Sequence, residues 1–227
     1  MATLYIFRHA QASMFAANYD QLSERGREQA RLLGEALTAR GVEFDAVYSG
    51  PAKRHLDTAA LAGYASPTVL PGFDEHDGQQ LVARALPKLA KDAALAALAA
   101  RAADRKLDKR ERSKVWQKLF ETAMRGWLSG ELEPRGVETY AQFSGRVRGA
   151  LDTVRREARG RVALFTSVGP TAQILADVLQ VPAERGFETG WRLYNASITR
   201  VIYSGDRMTL DGFNEVAHLP ADMVTHR

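Results

Sequence analysis

Leu4-Tyr5-Ile6-Phe7-Arg8-His9-Ala10 is the stretch from which the rest of the chain is read. Four consecutive apolar residues rich in β-formers predict a strand buried on both faces. The run stops at a guanidinium and an imidazole, neither of which enters a core without a partner. In open parallel sheets, ligands bind beyond the carboxyl ends of the strands. Arg8-His9 is therefore either an anion site at a strand end or a satisfied structural histidine beside a salt-bridged arginine. This stretch alone leaves both readings open.

Working outward, Ser23 has the character of a helix N-cap, with Glu24 well placed in the first turn. Gly26, Ala30, Leu33 and Leu37 follow at helical spacing, and Gly41 ends the helix. Residues 44–48 predict a second strand, which stops at Ser49-Gly50-Pro51. Pro51 then opens a helix carrying Lys53, Arg54, His55 and Thr58. Residues 68–70 are a short third strand, followed by the polar loop Phe73-Asp74-Glu75-His76-Asp77-Gly78.

Beyond residue 79 the character changes until about 134. Residues 86–103 are alanine-rich and helical, and 101–118 are dense in mostly positive charge. Trp116, Leu119, Phe120, Ala123 and Trp127 then supply an apolar stripe. We read this segment as an all-helical insertion folded over the sheet. The basic run reads as a solvated helix face and not a nucleic-acid surface, because aromatics are not interleaved with it.

The alternation of strands and helices resumes with a helix over 138–158 and a buried strand over 161–166. That strand ends in Ser167-Val168-Gly169-Pro170, and residues 171–179 are helical with Pro170 at the first position. Ser167 and the amides of Val168 and Gly169 thus sit at a helix N-terminus, where free N–H groups and the dipole favour anions. Residues 196–203 and 208–213 predict two strands joined by a Ser204-Gly205-Asp206 turn. The pattern implies a three-layer α/β fold with one antiparallel strand.

Composition narrows the chemistry. The 227 residues contain no cysteine, which excludes disulfides, thiolate metal sites and cysteine nucleophiles. The five histidines are scattered without metal-ligand spacing, so no metal or cofactor is expected. The net charge of +4 favours anionic partners in general. The opening residues resemble neither a signal peptide nor a membrane span, and we expect a cytoplasmic protein without a membrane or nucleic-acid partner.

The polar groups at strand ends form a set: Arg8 and His9, then Arg54, then Glu75, then Ser167. Two arginines facing one point suit a phosphate dianion, because guanidinium offers paired donors in a fixed fork. A neutral imidazole between them could attack phosphorus, and a nearby carboxylic acid could protonate the leaving oxygen. Phosphoryl transfer needs mainly positioning and charge neutralisation, which arginines supply without a metal.

At these residues the chain resembles the histidine phosphatases, the phosphoglycerate mutase-like superfamily. Its members begin with a strand ending in Arg-His-Gly, matched by Arg8-His9-Ala10. The helix start "T/S-x-x-G-x-x-Q-A" is similar to Ser23 through Ala30, and "S-x-x-x-R-x-x-x-T-A" to Gly50 through Ala59. Glu75-His76-Asp77-Gly78 matches "E-x-x-G", and the closing Asn214 to His218-Leu219 is also typical. The resemblance implies a six-stranded mixed sheet, one domain over 1–227, and a helical lid at about 79–135 that shapes substrate choice. It implies that His9 is the phosphorylated nucleophile and Glu75 the acid/base. Arg8, Arg54 and the Ser167-Val168-Gly169 turn would hold phosphate from a small phosphorylated substrate or inorganic phosphate itself.

The chain departs from the pattern at four points. Ala10 replaces glycine, and Gly50 stands in a serine position. Ser167 stands where the family places a second histidine on the phosphoryl group. Losing one preorganised donor of this kind costs on the order of 10²–10³ in rate. Around Phe15 the chain lacks the asparagine that mutases carry after the nucleophile, with Asn18 a few residues late, which weighs against a glycolytic mutase. Two classes follow: a phosphomonoesterase working through phosphohistidine, and a catalytically silent phosphoanion-binding scaffold. A serine hydrolase on Ser167 lacks the GxSxG elbow.

Overall fold

In the computed structural model, which describes residues 1–13, 20–104 and 106–226, the opening run is the interior of strand β1 (Ala2–Arg8). Phe15 and Asn18 lie outside the described residues. Helix α1 (Glu24–Ala39), strand β2 (Ala46–Ser49), helix α2 (Lys53–Leu61) and strand β3 (Thr68–Val69) follow. After a short 3-10 turn at Pro71–Phe73 come helices α3 (Gly78–Leu89), α4 (Ala93–Ala103), α5 (Lys109–Leu128) and α6 (Tyr140–Glu157). Strand β4 (Gly160–Thr166), helices α7 (Val168–Leu179) and α8 (Ala183–Gly190), and strands β5 (Ile198–Ser204) and β6 (Arg207–Glu215) complete the order.

The six strands form one sheet in the order β3-β2-β4-β1-β5-β6. Strands β3, β2, β4 and β1 are mutually parallel, and β5 runs antiparallel to both its neighbours. The mixed sheet with one reversed strand is the expected architecture. Successive strand side chains point to opposite faces. Phe7, Ala163 and Phe165 project towards α1 and α2, where they pack with Leu33, Leu37, Ala59 and Ala62. Leu4, Ile6, Val162 and Leu164 are equally buried on the alternate positions, so helices cover both faces in three layers. Ser23 caps α1, its Oγ accepting from the Gly26 N–H at 3.0 Å. A Cβ on Gly26 would lie 2.1 Å from the Gln11 carbonyl oxygen, so only glycine lets this helix approach the chain leaving β1.

The chain forms two compact units: Met1–Glu75 with Arg146–Arg227, and His76–Gly145. The second is helical, with Val82, Ala85, Ala123 and Leu132 in its core. There His76 stacks on Trp127 at 5.2 Å, and the Trp127 indole N–H donates to the Glu138 carbonyl at 2.7 Å.

Local details differ from the sequence reading. The alanine-rich run expected as one helix over 86–103 is split between α3 and α4. Asp92 accepts from the Ala94 and Leu95 amides at 2.9 and 3.0 Å, a side-chain cap that starts a new helix. Trp116 does not belong to the α5 apolar stripe: it is 40% exposed, and Val115 is buried in line with Leu119. Helix α7 starts at Val168, so Pro170 is its third residue, still within the first turn where no amide is needed. Helix α8 has no counterpart in the sequence pattern. Among the described residues no helix is long and apolar enough to cross a membrane.

Candidate active site

The register of β1 against β4 pairs Arg8 with Thr166, which places His9 and Ser167 side by side just past the strand ends. The His9 amide donates to the Thr166 carbonyl at 2.8 Å, and the Gly50 amide to Phe165 at 2.9 Å, so three parallel strands end together. The His9 ring is buried, with Nδ1 2.8 Å from the Ala10 carbonyl oxygen. That oxygen only accepts, so Nδ1 carries the proton and Nε2 is left with the lone pair. Burial foremost, then the charges of Arg8 and Arg54 and the neighbouring His55, hold the His9 pKa well below its ordinary value. The ring is therefore neutral near pH 7, as an attacking nitrogen must be. Ala10 takes this position without a left-handed backbone, and its methyl is buried with Leu22, Ala30, Ala196 and Leu219.

Arg54 lies in the first turn of α2, whose own N-cap, Ala52, has no side-chain oxygen to offer. Asp20 supplies the cap from a distant loop: Oδ2 accepts from the Lys53 amide at 2.8 Å and Oδ1 from the Arg54 amide at 3.3 Å. The same Oδ1 accepts from the Arg54 guanidinium at 2.7 Å, fixing its direction. Thr58, one turn later, links α2 to the nucleophile loop. Its Oγ1 accepts from the Ala10 amide at 3.1 Å and donates to the Arg54 carbonyl at 2.6 Å. On the other side, Arg8 is buried and donates to the Leu193 carbonyl.

Ser167 occupies the N-cap position of α7 but makes no capping bond. Its Oγ instead accepts from Arg54 Nη2 at 3.3 Å and lies 2.5 Å from His55 Nε2. His55 is completely buried, its ring centroid 5.7 Å from that of His9. Burial first, then Arg54, push its pKa down to about 3. A Cβ at position 50 would come within 2.5 Å of both His55 Nδ1 and the Phe73 carbonyl oxygen, so Gly50 leaves the space this ring fills.

Glu75 is held from two sides. Both carboxylate oxygens accept from the Gly169 amide at 3.1 Å, at the N-terminus of α7. Arg146 grips the backbone leading to it, donating to the carbonyls of Gly72, Asp74 and Glu75 at 3.0, 2.7 and 3.4 Å. The Thr166 hydroxyl donates to the Phe73 carbonyl at 2.7 Å, tying the same segment to the end of β4. Burial raises the pKa of the neighbouring Asp74.

His9, Arg8, Arg54, Glu75 and Ser167 are thus gathered at one sheet edge. Val168 opens α7 beside them, and the Gly169 amide, expected to face phosphate, is engaged by Glu75. Asp20, His55, Thr58 and Arg146 also take part. His55 had a local signal in its adjacency to Arg54, and Thr58 in the R-x-x-x-T-A motif; Asp20 and Arg146 contact residues distant in sequence. Among the described residues, no three His, Asp or Glu side chains are grouped as a metal site would require.

A neutral imidazole and two arginines thus share one edge of the sheet. The model of the histidine phosphatase superfamily (branch 1) matches residues 4–114 and 104–216, and the chain belongs to this superfamily. Among solved structures it is similar to YhfR of Bacillus stearothermophilus, at 20% identity and TM-score 0.66 over 96% of this chain and 99% of that one. A mycobacterial glucosyl-3-phosphoglycerate phosphatase, in complex with inorganic phosphate, matches at 20% identity and TM-score 0.64 over 97% and 100%. A mutant phosphoserine phosphatase from Entamoeba histolytica matches at 18% and 0.62, also over 97% and 100%. No match was found among curated protein sequences.

Proposed function

We propose that the protein is a phosphomonoesterase that acts on a small phosphorylated metabolite through a phosphohistidine at His9. The observation that carries this reading is the state of His9: buried, neutral, and fixed by the Ala10 carbonyl so that Nε2 bears the free lone pair. Arg8 and Arg54 draw the substrate phosphate in and neutralise its charge. Nε2 attacks phosphorus, the bond from phosphorus to the ester oxygen breaks, and protonated Glu75 gives its proton to the departing alkoxide. Water then attacks the phosphohistidine, Glu75 accepts the proton, and inorganic phosphate leaves with His9 restored. The chain leaves this site directly after Glu75 and returns at Arg146. We take the helical unit between them as the lid that selects the substrate.

The test is a screen of small phosphomonoesters, beginning with p-nitrophenyl phosphate, run beside His9→Ala, with acid-quenched samples assayed for acid-labile phosphoenzyme. Turnover and phosphoenzyme that both vanish in His9→Ala support the reading. Phosphate binding without any hydrolysis would make the protein a phosphoanion-binding scaffold instead.

A further inference from the structure

The site contains a buried pair that this cycle leaves unused. Resting on the reading of His9 as nucleophile, we infer that His55 and Ser167 act as one hydrogen-bonding unit, in which His55 positions the Ser167 hydroxyl to donate to the phosphoryl oxygen bound by Arg54.

The geometry around Ser167 Oγ leads to this assignment. A hydroxyl has two acceptor lone pairs and one donor hydrogen. One lone pair takes Arg54 Nη2 at 3.3 Å, and His55 Nε2 stands 2.5 Å away. With the ring proton on Nε2, both lone pairs are filled, and the hydroxyl hydrogen is left to point at an oxyanion arriving on Arg54. No hydrogen bond of good geometry fixes a proton on His55 Nδ1. A serine at an N-cap ordinarily turns its oxygen back to the helix amides; this one does not, because its oxygen is committed to Arg54 and His55. Gly50 leaves the room in which the ring stands, since a Cβ there would come within 2.5 Å of Nδ1. No proton leaves the pair. An isolated hydroxyl rotor would be reoriented at each turnover, whereas this one is fixed in advance, the condition under which a single donor stabilises a transition state. His55 is a positioning residue, and Ser167 the group that touches the phosphoryl oxygen.

The experiment measures kcat, KM and phosphoenzyme burst amplitude on p-nitrophenyl phosphate for wild type, H9A, H55A, H55Q, S167A and H55A/S167A. We expect H55A and S167A each to lower kcat per active site by about ten- to a hundredfold, with KM within about threefold. The double variant should be no slower than the slower single variant within about threefold, because residues that act as a unit are not additive. H55Q, whose amide N–H can donate in place of Nε2, should stay within about fivefold of wild type. If H55A does not fold, His55→Leu fills the same volume without a donor and carries the same expectation. Turnover within twofold of wild type in the folded donor-free variant, or losses that multiply in the double variant, would overturn the pairing alone. Wild-type turnover that persists in H9A would overturn the phosphohistidine reading, and this inference with it.

Discussion

Glu75 and Gly169, 94 residues apart, meet through both oxygens of the carboxylate and one backbone N–H, at 3.1 Å each. The acid is thus pinned to the positive end of α7, and its usefulness depends on the leaving group it must protonate. Glu75→Gln should lower kcat on an alkyl phosphate such as glycerol phosphate by about 10²–10⁴. The loss on p-nitrophenyl phosphate should be much smaller, because a phenolate departs without help. Equal losses on both substrates would remove the acid role.

Arg146 holds the segment that carries Glu75 by three carbonyls, so its loss should be felt in both stability and rate. Arg146→Ala leaves part-buried acceptors without their charged donor and should cost about 1–3 kcal/mol in urea unfolding. Its kcat on glycerol phosphate should fall while KM for that substrate changes little. Wild-type kcat in a folded Arg146→Ala protein would show that the clamp does not set the position of the acid.

Asp20 caps a helix to which it does not belong. Asp20→Ala should destabilise the protein by about 0.5–2 kcal/mol, whereas Asp20→Asn, still a good capping acceptor, should cost only a few tenths. Urea midpoints for the two variants decide the point. Equal costs would mean that the ion pair with Arg54, and not the cap, is what Asp20 contributes.

Three histidines contribute to the acid limb of stability. His9 is held well below its ordinary pKa, His55 at about 3 and His218 at about 4, each chiefly by burial. In the unfolded chain all three titrate near about 6.5. Their neutral forms are accommodated above that pH. As pH falls from about 6.5 towards 4, the unfolded state binds more protons and stability declines. Each such proton steepens the slope by about 1.4 kcal/mol per pH unit. Urea unfolding between pH 7 and pH 4 should show a shallower decline for His55→Leu, by about one proton. Parallel slopes would mean that His55 is already charged in the folded protein.

Much of the fold could be read from local pattern. An apolar run that stops at Arg8 announces a strand end, and Ser23 a cap. A Gly205-Asp206 turn announces a hairpin, because each rests on chemistry within a few residues. Misreadings arose where two local signals competed. Asp92 starts a helix inside an alanine-rich run, and Val115 displaces Trp116 from the buried stripe by one residue, a rotation of about 100° that composition does not show.

Local pattern is enough to show that Arg8-His9 ends a buried strand, that Ser167 follows another, and that Arg54 and Glu75 lie in the segments just beyond two more. Those facts follow from periodicity and spacing, which the backbone obeys locally. What each group touches is settled by the packing of distant segments: His55 on Ser167, Asp20 on Arg54, Gly169 on Glu75, Arg146 on three carbonyls. These contacts join residues 34 to 112 positions apart and depend on distances of a few tenths of an ångström. Nothing in the local preferences of either partner specifies them; they are set when the sheet brings its strand ends into line.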